Sequence, residues 1–141
     1  MKVHYREAAY EKLKFYNDIC EIRRLVYKIT ERFNKTHLRL VSQMRDAARS
    51  AKQNIREGYK RGTIKEFIRG IKISQGSLEE LSGDIEDCGE DGLITAQELE
   101  QLTRLYRSAI FMSDRYLESL YKMKNDGTWK NPGEKFKGNL K

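Results

Sequence analysis

An all-α fold of four helices is what this 141-residue chain predicts, and three observations predict it. Strong helix formers (Glu, Lys, Arg, Leu and Ala) dominate the sequence up to about residue 125, and the single proline, Pro132, lies near the end. Long uninterrupted helices follow from that composition. Apolar residues also recur at steps of three and four in four successive stretches, the period of a helix with one buried face. Turn and cap residues punctuate the gaps.

The first helix runs from about Tyr10 to Phe33 (10–33), with Phe15, Ile19, Ile22, Val26, Ile29 and Phe33 as its core stripe. On nearly the opposite face Leu13, Tyr16, Cys20 and Tyr27 form a second apolar stripe. A lone bundle would leave that stripe wet, so these four residues are assigned to an interface between copies of the chain. The second helix spans about 37–59, with Asn34 or Thr36 offering the N-cap and Gly62 the stop. Val41, Met44, Ala48, Ala51 and Ile55 line its apolar face, beside the small or compact Ala47, Asn54 and Gly58.

The third helix, about 63–88, opens on Thr63 and Glu66 at capping-box spacing, where each side chain can bond an orphan backbone N–H. Phe67, Ile71, Ser74, Leu78, Leu81, Ile85 and Cys88 form its stripe, edged by Gly70, Ser74 and Ser77. Small residues on both sides predict a close antiparallel hairpin of the second and third helices. The fourth helix, about 95–124, starts on a second capping box, Thr95 to Glu98, and carries Leu99, Leu102, Tyr106, Ala109, Ser113, Leu117 and Leu120. Leu105, Met112, Tyr116 and Met123 widen this face, and Phe111 falls well outside it. Residues 1–124 thus read as one bundle domain, and 125–141, with isolated Trp129 and Phe136, as a flexible basic tail in which Trp129 docks locally.

The formal charge of +7 is unevenly divided, with nets of +9 over residues 1–62, −6 over 63–120 and +4 over 121–141. Such a field suits an anionic partner on one face, or head-to-tail contact between basic and acidic faces of neighbouring subunits. On the second helix Arg45, Arg49, Lys52, Arg56 and Lys60 share a sector of roughly 80° at about 100° per residue. Such a row can track a phosphate backbone, releasing counterions whatever the bases. A solvated face paired with Asp46, Glu57 or a neighbour's acids explains the same residues, and both readings stand at this point.

Other chemistry is poorly served. Cys20 and Cys88 make no disulfide framework, and with His4 and His37 they offer no zinc-site spacing. The run Asp87 to Glu98 matches a calcium loop at its first, fifth, sixth, eighth and twelfth positions, but Gly89 fails the third. A helix end, a Gly-rich turn and a Thr95 cap with Leu93 or Ile94 as staple account for those residues, so neither metal nor cofactor is expected. No nucleophile elbow, phosphate loop or His-Glu-x-x-His is present, and His4 and His37 read as end-of-helix residues, so no catalytic residue is assigned. The amino terminus lacks a signal-peptide core and no window approaches a membrane span, which predicts a cytoplasmic protein without membrane contact.

Asn54, Glu57, Gly58, Ser77 and Glu80 suggest an interhelical polar motif. With Gln43, Met44, Ala47, Ala48, Ser50 and Ile55 they fall into a Gln-Leu-x-x-Ala-Ala-x-Ser-x-x-x-Asn-Ile-x-Glu-Gly frame, followed by Glu66-Phe67-Ile68 and by Gly76, Ser77, Leu78, Glu80 and Leu81. This pattern, extending from about residue 10 to 124, resembles the four-helix-bundle proteins encoded within intervening sequences of bacterial 23S ribosomal RNA genes. Phe33-Asn34 departs from that family's Phe-Pro, and Lys52-Gln53 from its Ile-Pro, so a kink in the second helix is in doubt. The resemblance implies an antiparallel up-and-down four-helix bundle, related to retroelement accessory proteins, that assembles into a pentamer. It further implies noncatalytic binding of RNA or DNA, or, as the alternative, an oligomeric scaffold for a protein partner such as a reverse transcriptase.

Overall fold

In the computed structural model, which describes residues 9–129, a short 3-10 turn, Ala9–Lys12, leads into α1 (Lys14–Thr30). A second 3-10 turn, Lys35–His37, precedes α2 (Leu38–Lys60), followed by α3 (Ile64–Glu90) and α4 (Ala96–Asp126). Each helix packs on its neighbours in a closed ring, α1 on α2 and α4, and α3 on α2 and α4. The registers are antiparallel throughout: Tyr27 meets Arg45, Ser50 meets Ser77, Gln75 meets Ser113, and Asp18 meets Ser108. The chain is therefore an up-and-down four-helix bundle. Among the described residues there is no strand, and no helix is long and apolar enough to cross a membrane.

The core consists of the expected stripes. Phe15, Ile19, Ile22 and Val26 of α1 close on Met44, Ala48, Ala51 and Ile55 of α2, on Phe67, Ile71, Leu78 and Leu81 of α3, and on Leu102, Ala109 and Leu120 of α4. Removing that apolar surface from water is the main favourable term of the fold. Phe33 lies beyond the last turn of α1 and is only half-buried, as is Val41.

The α2–α3 pair is the tightest crossing because two glycines meet there. A Cβ on Gly58 would stand 2.7 Å from the Glu66 carbonyl oxygen, and one on Gly70 would strike the Asn54 carbonyl oxygen and the Gly58 Cα. Beside this saddle Ser74 Oγ donates to the Ala51 carbonyl at 2.6 Å, so the small polar edge is hydrogen-bonded rather than merely small.

The segment that mimics a calcium loop is helix and cap. α3 continues through Glu90, the Leu93 N–H donates to the Cys88 carbonyl at 2.9 Å and the Gly92 N–H to that of Gly89 at 3.3 Å, with Gly92 at φ +72. This is a Schellman ending, which satisfies the last carbonyls of α3 and requires the left-handed residue that glycine supplies. Thr95 then forms a full capping box with Glu98. The expected boundary of the tail at residue 125 is corrected: α4 runs to Asp126 and closes on Gly127 at φ +66, and Trp129 reaches the Phe67 ring at 6.4 Å. The rest of the expected basic tail, 130–141, and His4 lie outside the described residues.

Candidate nucleic-acid interface

The basic row of α2 divides into residues with different surroundings. Arg45 is tied to the end of α1: its Nε donates to Thr30 Oγ1 at 3.0 Å, its Nη2 to the Tyr27 carbonyl at 3.3 Å, and its guanidinium lies 4.7 Å from the Tyr27 ring centroid. A cation there also complements the negative end of the α1 dipole. Arg45 is thus an α1–α2 clamp, which corrects its assignment to an outward phosphate row. Lys60 is exposed in the last turn, away from the groove described next.

Arg49, Lys52 and Arg56 do converge, and Arg23 of α1 joins them. With Gln53 they line an open groove of about 190 Å³ along the α1–α2 seam, and no carboxylate is among its walls. Among the described residues Arg23, Arg49, Lys52 and Arg56 have no salt-bridge partner within 4.0 Å, whereas Arg24, Arg32, Arg61 and Arg104 each have a glutamate. Arg23 stacks 4.7 Å from the same Tyr27 ring as Arg45, so two guanidinium groups share one aromatic face region. Arg56 is held by the Tyr16 hydroxyl, whose contact raises the guanidinium further above its ordinary value. Burial pushes the Tyr16 hydroxyl up to about 12. One wall of the groove is thereby braced.

Position along α2 revealed three of these cations. Arg23 belongs to another helix, and only the α1–α2 register brings it alongside Arg49.

Of the stripe assigned to a subunit interface, Tyr16 is covered by the chain itself and Leu13, Cys20 and Tyr27 are half-buried. Tyr16 is 6% exposed, edge-on to Tyr10 at 5.0 Å, because the 3-10 turn Ala9–Lys12 folds back over α1 and α2. Leu13 and Cys20 pack half-buried against the core, and Tyr27 lies beneath Arg23 and Arg45. The expectation that this stripe would be wet in one protomer is corrected at Tyr16, which the opening turn covers; Leu13, Cys20 and Tyr27 stay part-exposed, Tyr27 beneath Arg23 of α1 and Arg45 of α2.

The polar motif separates similarly. Asn54 Nδ2 donates to the Ser50 carbonyl at 2.9 Å and to Ser50 Oγ at 3.0 Å, and Ser50 meets Ser77 at 2.9 Å, so Asn54 and Ser77 do join α2 to α3 through Ser50. Gly58 forms the close crossing. Glu57 and Glu80 point outward instead, each on the wall of an open groove over the α2–α3 seam. Gln43, donating to Asp84 at 3.0 Å, takes the linking place expected of them.

Among the described residues no three His, Cys, Asp or Glu side chains stand together as a metal site. The Cys88 thiol, buried against Met44 at 3.8 Å, is pushed up to about 11 by burial, far from a reactive thiolate.

No curated protein matches the chain. A family model matches residues 11–114, from the opening turn to the middle of α4, so that α1, α2, α3, the polar motif and the cationic groove lie within the match. The chain belongs to the 23S rRNA-intervening sequence protein family.

Proposed function

We propose that this protein binds RNA without catalysis, holding phosphates of the backbone in the α1–α2 groove. The observation that carries this reading is the convergence of Arg23, Arg49, Lys52 and Arg56 on one acid-free groove. Leaving four cations together costs repulsion, which a polyanion relieves while its own counterions are released. The family description, which concerns ribosomal RNA intervening sequences, supports RNA as the polymer.

A salt titration tests it. Four phosphate contacts predict a slope of log affinity against log salt of about −2.8 to −3.6, or a loss of roughly 50- to 150-fold between about 50 and 200 mM salt. Arg49→Glu or Lys52→Glu should weaken binding and flatten the slope by about one. Arg45→Ala should leave the slope alone and lower the melting temperature, since its bonds are internal. Salt-insensitive or absent binding rejects the proposal.

The protein further acts, in this reading, as an assembly of copies. With Tyr16 covered, support comes from the exposed Ile73, Met112 and Met123 and from the acidic α3, whose Glu79, Glu80 and Glu86 complement a neighbour's basic groove. Light scattering at dilute concentration, giving the mass of one chain, would remove that part. An acidic protein surface in place of RNA is the second reading, favoured by the same complementarity, and competition between the two ligands separates them.

A further inference from the structure

The groove offers cations and one amide but no open aromatic face, since Tyr16 is buried and Tyr27 lies under Arg23 and Arg45. A strand gripped there is held by its phosphates alone, which position the polymer without engaging its bases. A different surface can engage them. Phe111, in the middle of α4, is 58% exposed, more than any other aromatic ring among the described residues. At about 100° per residue it projects almost directly away from the buried line of Leu102, Ala109, Ser113, Leu117 and Leu120.

Two cations flank it on that outer face, while the Asp114 carboxylate beside it accepts from Gln75 at 2.8 Å. Arg107 stands one turn before Phe111 and Arg115 one turn after, with the Arg115 guanidinium 5.7 Å from the ring centroid. Neither arginine has a salt-bridge partner among the described residues; Arg104, a turn earlier, has Glu100, and Glu118 follows Arg115. An open ring between unpaired guanidinium groups suits an unpaired nucleobase, because the ring supplies a stacking face and the arginines take the flanking phosphates or cap the base. A duplex keeps its bases stacked on each other and has none to offer.

We infer that Phe111 is a stacking platform for an unpaired base, so that the preferred ligand class is single-stranded RNA or the unpaired part of a folded one. This rests on the phosphate-binding reading and adds the kind of strand. α2 and α4 flank α1 on its two sides, so a strand leaving the groove reaches Phe111 over the outer wall of α1. Asp18 meets Ser108, so Phe111 stands about level with the start of α1, and the strand crosses that wall by way of Asn17 and the Arg24–Glu21 pair.

The test uses the full chain with a mixed-sequence single strand of about 20 nucleotides and with the same sequence as a blunt duplex. Phe111→Ala should weaken single-strand binding about tenfold or more, change duplex binding less than about twofold, and leave the salt slope unaltered because no phosphate contact is lost. Phe111→Tyr should restore the affinity. The melting temperature of each variant checks the fold. If Phe111→Ala binds the single strand as wild type does while Arg49→Glu still weakens it, the platform is overturned and phosphate binding survives. An equal loss on strand and duplex, or a changed mass in solution, assigns Phe111 to the fold or to contact between copies and also overturns the platform. Unchanged binding by Arg49→Glu instead strikes the groove reading itself.

Discussion

At the scale of single residues, what a side chain does is set by whether its neighbours can move. A methyl group on Gly70 meets backbone atoms of α2, the Asn54 carbonyl and the Gly58 Cα, which cannot rotate aside. Gly70→Ala should destabilise the fold by about 1–3 kcal/mol, the usual cost of overpacking. At Gly83, in the same helix, nothing lies within 4 Å of the added carbon. Gly83→Ala should therefore stabilise by about 0.5–1 kcal/mol through helix propensity alone. Urea denaturation of the two variants would show opposite signs; a shared sign would contradict the saddle. The small residues of this crossing were legible because lack of bulk is visible in sequence. That Arg45 clamps α1 while Arg49, one turn on, faces solvent was not, because both occupy the same sector of α2 and differ only in what α1 places opposite them.

At the scale of elements, helix ends are where local chemistry and tertiary contact combine. Thr95 and Glu98 form the reciprocal box their spacing predicts, whereas at α3 only the Thr63 half forms and the Glu66 carboxylate turns to Arg61 at 3.9 Å; each helix begins one residue after its threonine. Glu98 has a second partner that spacing does not reveal: Arg32, just past α1, donates to its carboxylate. That bond, aided by the Thr95 cap, holds the Glu98 carboxyl down at about 2. Because the folded value is depressed, the stabilisation is complete above the ordinary value of 4.5 and is lost as pH falls from there towards about 2. The pair is partly exposed, with side chains 47% and 23% accessible, so solvent screening limits it to roughly 0.5–1 kcal/mol. Glu98→Gln keeps an acceptor for the Thr95 N–H, and should lose about that amount at pH 7. The gap to wild type should close at acid pH in denaturant titrations; a gap independent of pH would show the charge to be irrelevant.

At the scale of the whole molecule, the uneven charge becomes a basic wall across α1 and α2 and an acidic one on α3. Exposed charges farther apart than about 8 Å are largely screened at physiological salt, so the +7 total brings a polyanion near without deciding where it sits. In the proposed reading a convergent groove decides that, which is why four cations on two helices outweigh the five of a single row. Four helices, their boundaries within a few residues, their core faces and the threonine caps of α3 and α4 were determined by the sequence alone, since period, propensity and capping act between residues close in the chain. The expected cap of α2 fails, for Asn34 caps the 3-10 turn and His37, at the N-cap of α2, makes no side-chain cap bond. The cover over Tyr16, the union of Arg23 with Arg49, Lys52 and Arg56 and the outward turn of Glu57 and Glu80 were decided only by tertiary structure. Each depends on the register in which distant helices meet, and register is the sum of many packing contacts rather than the property of any one stretch.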